Sequence, residues 1–169
     1  MADQSDNLPL VQALADALTR RKWLLATAES CTGGLVSAAL TELAGSSVWF
    51  DRGFITYSNA AKIQMLGVNN WLIESHGAVS EAVAHAMAAG AIERSKAHMS
   101  LSITGVAGPG GGSEGKPVGT VWHGFAVNSA EGISTQALLK QYAGSRAAVR
   151  AQAVRFALEH ALATIQAQP

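Results

Sequence analysis

The sequence predicts an α/β fold, a three-layer α/β/α sandwich around a mixed β-sheet, on three observations. Short apolar runs rich in β-formers alternate with segments whose leucines and alanines recur at helical spacing. The last two of those runs face each other across a polar turn, as a hairpin does, so the sheet is not wholly parallel. Hydrophobic residues make up 49% of the 169 and charged residues only 14%, which suits layered elements with much buried surface.

Taken in order, Leu10, Leu14 and Leu18 line one face of a first helix that ends near Arg20 to Lys22. Trp23 to Ala28 reads as a short buried strand. Glu29 to Gly34 forms a strand-to-helix turn, because Leu35, Val36, Leu40 and Leu43 follow at helical intervals. Val48 to Tyr57 is a second strand, after which Ser58 or Asn59 caps a short helix carrying Lys62 and Ile63. Ser80 caps a longer helix to about Lys96, and Leu101 to Thr104 is a third strand. The run Gly105 to Gly112 is too rich in glycine to continue a sheet. Val118–Asn128 and Ile133–Tyr142 form the hairpin, and Ser145 caps a last helix with Val149, Ala153 and Phe156 inward. No linker or repeat divides the chain, which reads as one domain over residues 1–169.

Composition narrows the function. The formal net charge is zero and the longest basic run is Arg20-Arg21-Lys22, so the electrostatic footprint of a nucleic-acid binder is missing. The single cysteine, Cys31, allows neither an internal disulfide nor a thiolate zinc cluster. The five histidines show no HxxxH or HExxH spacing, and no metal site is expected. The first ten residues lack a basic segment and an apolar core, and no run approaches a membrane span, so the expected location is the cytoplasm.

The turn after the first strand is a good place for chemistry. A serine just before a helix, Ser30, can approach a carbonyl carbon while the first free amides around Thr32, Gly33 and Gly34 point at the developing oxyanion. Capping of the helix by Ser30 or Thr32 accounts for the same residues and is the commoner use of those side chains there. A serine nucleophile needs a base, and Lys62 stands about one turn into its helix, where helix-end positive charge disfavours protonation. To be neutral near pH 7 it must fall by about 3 units, roughly 4 kcal/mol, which requires desolvation as well. The alternative is a solvated surface lysine. Tyr57 can pass a proton between the two or orient either, or be a half-buried strand tyrosine. Cys31 competes for the nucleophile role but reads as buried filling. The loop from Gly105 through Gly108 to Gly112 can present amides to a phosphate or carbonyl, with Arg146 adding a fork of donors, although such loops also serve to double the chain back. Gly45-Ser46-Ser47 carries the same ambiguity.

Six blocks in order, Ala28–Gly34, Gly45–Ser47, Tyr57–Asn59 with Lys62, His76–Ser80, Thr104-Gly105 with Ala107–Pro109, and Lys116–Thr120, resemble the CinA carboxy-terminal domain family almost end to end. The resemblance implies an α/β/α domain, frequently homodimeric, that hydrolyses nicotinamide mononucleotide (NMN) to nicotinic acid mononucleotide and ammonia in pyridine-nucleotide recycling, with no metal or organic cofactor. Carried over by position, it implies Ser30 as nucleophile, Lys62 as base, Tyr57 beside them and Thr104 near the substrate. The glycine loop and Arg146 become candidates for the phosphate and ribose. His98 and Ser145 stand where relatives often have Asp, which bears on substrate affinity. Some relatives are competence- or damage-related proteins, so the alternative is a non-catalytic nucleotide-binding or partner module.

Overall fold

The computed structural model describes residues 4–169. A short 3-10 turn leads into α1 (Leu8–Arg21), with Pro9 in its first turn, where no helical N–H is needed. Val11, Leu14 and Leu18 are its buried stripe, and Lys22 ends it in a left-handed conformation at φ 55°. Then follow β1 (Leu25–Glu29), α2 (Leu35–Thr41), β2 (Phe50–Ile55), α3 (Asn59–Leu66), α4 (Asn70–His76) and α5 (Glu81–Glu93). β3 (Met99–Gly105), β4 (Thr120–Ser129), β5 (Gly132–Gln141) and α6 (Arg146–Gln166) complete the chain.

The five strands form one sheet in the order β2-β1-β3-β4-β5. β1 pairs in parallel with β2 and β3, whereas β3–β4 and β4–β5 are antiparallel, which is the mixed sheet the closing hairpin predicts. Helices cover both faces. Leu25, Leu101, Ile103, Val121 and Phe125 pack with residues of α1, α2 and α6 on one side. Ala26 and Ala28 pack with Leu66, Ile73, Val83 and Met87 of α3, α4 and α5 on the other. The alternation along β1 therefore assigns Ala26, Ala28 and Ser30 to the α3–α5 face, and Thr27 and Glu29 to the α2 face.

Several expected boundaries move. The first strand begins at Leu25, since Trp23 still closes the end of α1 through its N–H to the Leu18 carbonyl. The second strand is shorter than Val48–Tyr57: Ser46–Val48 is a 3-10 turn, and the strand ends at Ile55, with the Thr56 N–H making a last bond to the Glu29 carbonyl. The helix begun by Ser80 ends at Glu93 rather than near Lys96. α4 was not foreseen, because it is one short amphipathic stretch with only Ile73 fully buried. Phe156 is half-buried, sandwiched between His123 and His160.

α5 rides unusually close to the sheet. Ser100 and Ser102 donate to the carbonyls of Ala88 and Ala84 at 2.6 and 2.7 Å, and Thr104 donates to Ala78 just ahead of the helix at 2.8 Å. Gly124 makes this approach possible, since a Cβ there would stand 2.3 Å from the Ala84 carbonyl oxygen.

His123 of β4 is fully buried on the α6 face, with Nε2 3.0 Å from the Tyr142 hydroxyl. Burial, reinforced by the charges of Lys140 and His160, pushes its pKa down to about 3. The unfolded chain binds this proton below about pH 6.5 while the folded chain does not, so the contribution to stability is complete above pH 6.5 and is lost as pH falls towards 3. The expected loss is about 5 kcal/mol at the acid end. Urea denaturation over that range should show the slope in the wild type and a shallower one in His123→Phe; equal slopes would remove His123 as its source.

Candidate active site

Ser30 is the first residue past β1, and its backbone N–H donates to the Ile103 carbonyl of β3 at 2.9 Å. That bond fixes it at the carboxyl end of two parallel strands, where α/β proteins gather their reactive groups. Its side chain meets Lys62 of α3: the Nζ–Oγ separation is 3.1 Å. Lys62 also donates to the Thr56 carbonyl at 2.9 Å and is only 1% exposed. Among the described residues it has no carboxylate within ion-pair distance. Desolvation holds its amine below the ordinary lysine value, a shift that nearby Cys31 opposes. Ser58 caps α3 by accepting from the Ala61 amide, so Lys62 sits one turn inside the helix. The side chain is therefore anchored, buried and directed at the hydroxyl.

Neither Ser30 nor Thr32 caps α2. The helix starts after Gly34, and its amides are taken by Glu29, a fully buried carboxylate that accepts from Gly34, Val36 and Ser37 N–H and from the Ser37 hydroxyl at 2.8–3.0 Å. The Gly34 amide is thus committed to Glu29. The Gly33 amide closes a tight turn onto the Ser30 carbonyl at 3.0 Å. Cys31 and Thr32 are the central residues of that turn; among the described residues neither amide donates to a carbonyl, and the Cys31 N–H faces its own Sγ. Gly33 and Gly34 lie at φ 59° and 100°, a region that side chains resist. Sequence reading missed Glu29, whose only signal is an acidic residue before a helix start.

Cys31 is buried, and desolvation pushes its thiol up to about 11, despite its own backbone amide and Arg150 and Arg146. It is a protonated thiol at neutral pH and a poor nucleophile.

Two arginines of α6 border the turn. Arg146 donates to the Gly108 carbonyl at 2.8 Å and to the Tyr57 hydroxyl at 3.0 Å, joining the glycine loop to the end of β2. Tyr57 is exposed and makes no hydrogen bond with Ser30 or Lys62, so it stands at the rim rather than between them. Arg150, which sequence reading did not single out, donates to the Thr32 carbonyl at 3.0 Å. Its spacing of four from Arg146 was the available signal.

Thr104 lies on the same face of the sheet as Ser30, its hydroxyl proton given to Ala78. Gly105 packs against Val121 and Thr120, where a Cβ would come within 2.7 Å. Gly45, Ser46 and Ser47 are not brought to this place. They precede Phe50, which pairs with Leu25 at the opposite end of β1, so strand rise alone separates them from Ser30 by about 15 Å. His98 is also at that far end, accepting from the Leu24 amide and stacked on Trp23. Ser145 caps α6 by accepting from Ala148.

Three of the four buried side-chain polar atoms without a partner among the described residues, Thr32 Oγ1, Thr56 Oγ1 and Arg150 Nε, belong to residues flanking the dyad or its turn. Such unsatisfied groups are rare in packed interiors and collect where a ligand completes them. No group of three or more described His, Cys, Asp or Glu residues is placed to hold a metal, and no described helix is long and apolar enough to cross a membrane.

The model of the CinA C-terminal domain family matches residues 7–165. The nicotinamide-nucleotide amidohydrolase PncC of Enterobacter agglomerans is 51% identical over 86% of this chain and 87% of its own. The protein of that name from Escherichia coli K12 is 50% identical over 92% of each chain. The crystal structure of the competence damage-inducible protein A (ComA) from Klebsiella pneumoniae superposes with a TM-score of 0.91 at 36% identity, covering 96% of this chain and 99% of that one.

Glu29→Gln should destabilise the fold by about 2–4 kcal/mol, because the amide offers the four donors one oxygen instead of two and loses the charge favoured at a helix start. Urea midpoints at pH 7 check this; an unchanged midpoint would show the clamp to be dispensable.

Proposed function

The chain belongs to the CinA C-terminal domain family, and we propose that it is a nicotinamide-nucleotide amidohydrolase that converts NMN and water to nicotinic acid mononucleotide and ammonia, with Ser30 as nucleophile and Lys62 as base. One observation carries the mechanism: a buried amine with no acid beside it among the described residues, 3.1 Å from the serine oxygen. When the amine is neutral, the Ser30 O–H donates to its lone pair and one amine N–H stays on Thr56.

The reaction follows from this arrangement. Lys62 takes the Ser30 proton as Oγ bonds to the carboxamide carbon, and the Cys31 and Thr32 amides receive the oxyanion. Lys62 returns the proton to the nitrogen as the C–N bond breaks, releasing ammonia and leaving an ester on Ser30. Water, deprotonated by Lys62, then frees the acid and restores the hydroxyl. The pyridinium ring withdraws electrons from the amide and eases the first attack. Thr104, the Gly105–Gly108 backbone, Tyr57 and Arg146 hold the rest of the nucleotide, Arg146 offering charge for its phosphate. The product would return to pyridine-nucleotide synthesis in the cytoplasm.

Ser30→Ala and Lys62→Met should each lower ammonia release from NMN by at least about 10³-fold with the fold retained, and Cys31→Ala by less than about tenfold. The kcat/KM of the wild type should fall as pH drops through the lowered Lys62 pKa, since only the neutral amine accepts the proton. No ammonia from wild-type protein would favour the non-catalytic binding module, and loss of activity in Cys31→Ala alone would move the nucleophile. We further propose, from the family resemblance, that the working unit is a homodimer. Sedimentation velocity should then give one species at twice the chain mass; a single species at the chain mass would remove the dimer.

A further inference from the structure

The turn that carries Ser30 is tied locally by two bonds, from the Gly33 amide to the Ser30 carbonyl at 3.0 Å and from the Leu35 amide to the Thr32 carbonyl at 3.2 Å. Two successive glycines at positive φ still give it access to conformations closed to other residues, and the carbonyl of Thr32, within it, is fixed a second time from a distant part of the chain. Arg150 Nη2 donates to that carbonyl at 3.0 Å, and its guanidinium lies against Gly33, where a Cβ would stand 3.6 Å from Nη2. Arg150 forms no ion pair with a described carboxylate, and its Nε is buried without an acceptor. Glu29 holds the following segment from the other side, through Gly34, Val36 and Ser37. Between these two anchors stand the amides of Cys31 and Thr32, neither of which donates to a described carbonyl.

We propose that Arg150 is a positioning residue for the amide hydrolysis: through the Thr32 carbonyl it orients the Cys31 and Thr32 amides towards the oxygen of the attacked carboxamide. Its unpaired charge also offsets the Glu29 carboxylate that shares the turn. This rests on the amidohydrolase reading above and adds to it a residue that touches neither the nucleophile nor the base. The electrostatic reach is independently visible at Cys31, whose thiol Arg150 pulls downward against burial. Losing one oriented oxyanion donor costs about 10²–10³ in kcat, so loosening two without removing either should cost about 30- to 100-fold.

Arg150→Met and Arg150→Lys in the full chain test this. Arg150→Met is expected to lower kcat for NMN by about 30- to 100-fold while KM stays within about threefold, and Arg150→Lys, which keeps the charge and one donor, to recover part of the loss. Backbone 15N order parameters at Cys31, Thr32 and Gly33 should fall in Arg150→Met from about 0.85 to below about 0.7, with Val154 on the same helix unchanged as the control for folding. Unchanged order parameters at the turn would overturn the proposal, as would a raised KM with kcat intact, which would make Arg150 a substrate-binding residue. If wild-type protein releases no ammonia, the amidohydrolase reading fails, and the order parameters still decide whether Arg150 holds the turn.

Discussion

A primary amine held out of water, with no acid among the described residues to balance it, is the constraint around which the rest of this structure is arranged. Lys62 has a carbonyl and a hydroxyl for company, partners that suit an uncharged amine. Burying an ammonium there would cost several kcal/mol, so the surroundings act chiefly by making the proton unwelcome. Ser58 starts the helix in the right place, Thr56, just past β2, offers its carbonyl, and α3 packs Leu66 into the core so that the lysine points inward. The packing that makes the fold also sets the chemistry of one side chain.

The strand-to-helix junction shows a division of labour between adjacent residues. Alternation along β1 sends Glu29 towards α2 and Ser30 towards α3. Glu29 takes up the first amides of α2, groups that in many proteins receive an anion. The helix terminus is spent on holding the chain, and what remains for a reacting oxygen is the pair of amides in the turn itself. Arg150 and Arg146 then bring positive charge from α6 to a junction that would otherwise carry the net charge of Glu29.

Much of this was legible in the residues, and the limits have physical reasons. The hairpin, the buried first strand and the serine caps at Ser58, Ser80 and Ser145 depend on local patterns, and they are where those patterns place them. The placement of Ser30 beside Lys62 is not local: it needs β1, β2 and α3 to converge, and six motif blocks stood in for that geometry. Glu29 and Arg150 escaped because their partners are set by the three-dimensional path, one across a helix start and the other 118 residues away. Gly45-Ser46-Ser47 looked like another anion cradle, yet parallel pairing carries it to the opposite end of the sheet. Tyr57 follows a strand as read, but the chain has turned outward by then and its hydroxyl meets Arg146.

The hydroxyls of Ser100, Ser102 and Thr104 have a further consequence for how this molecule can move. Each is pegged to a carbonyl in or just before α5, so the helix is indexed to the sheet like a rack on its pinion. A slide by half a helical turn would draw the carbonyls away from these buried hydroxyls, a penalty that grease-like apolar packing would not impose. The sheet and α5 therefore resist sliding past one another behind Ser30.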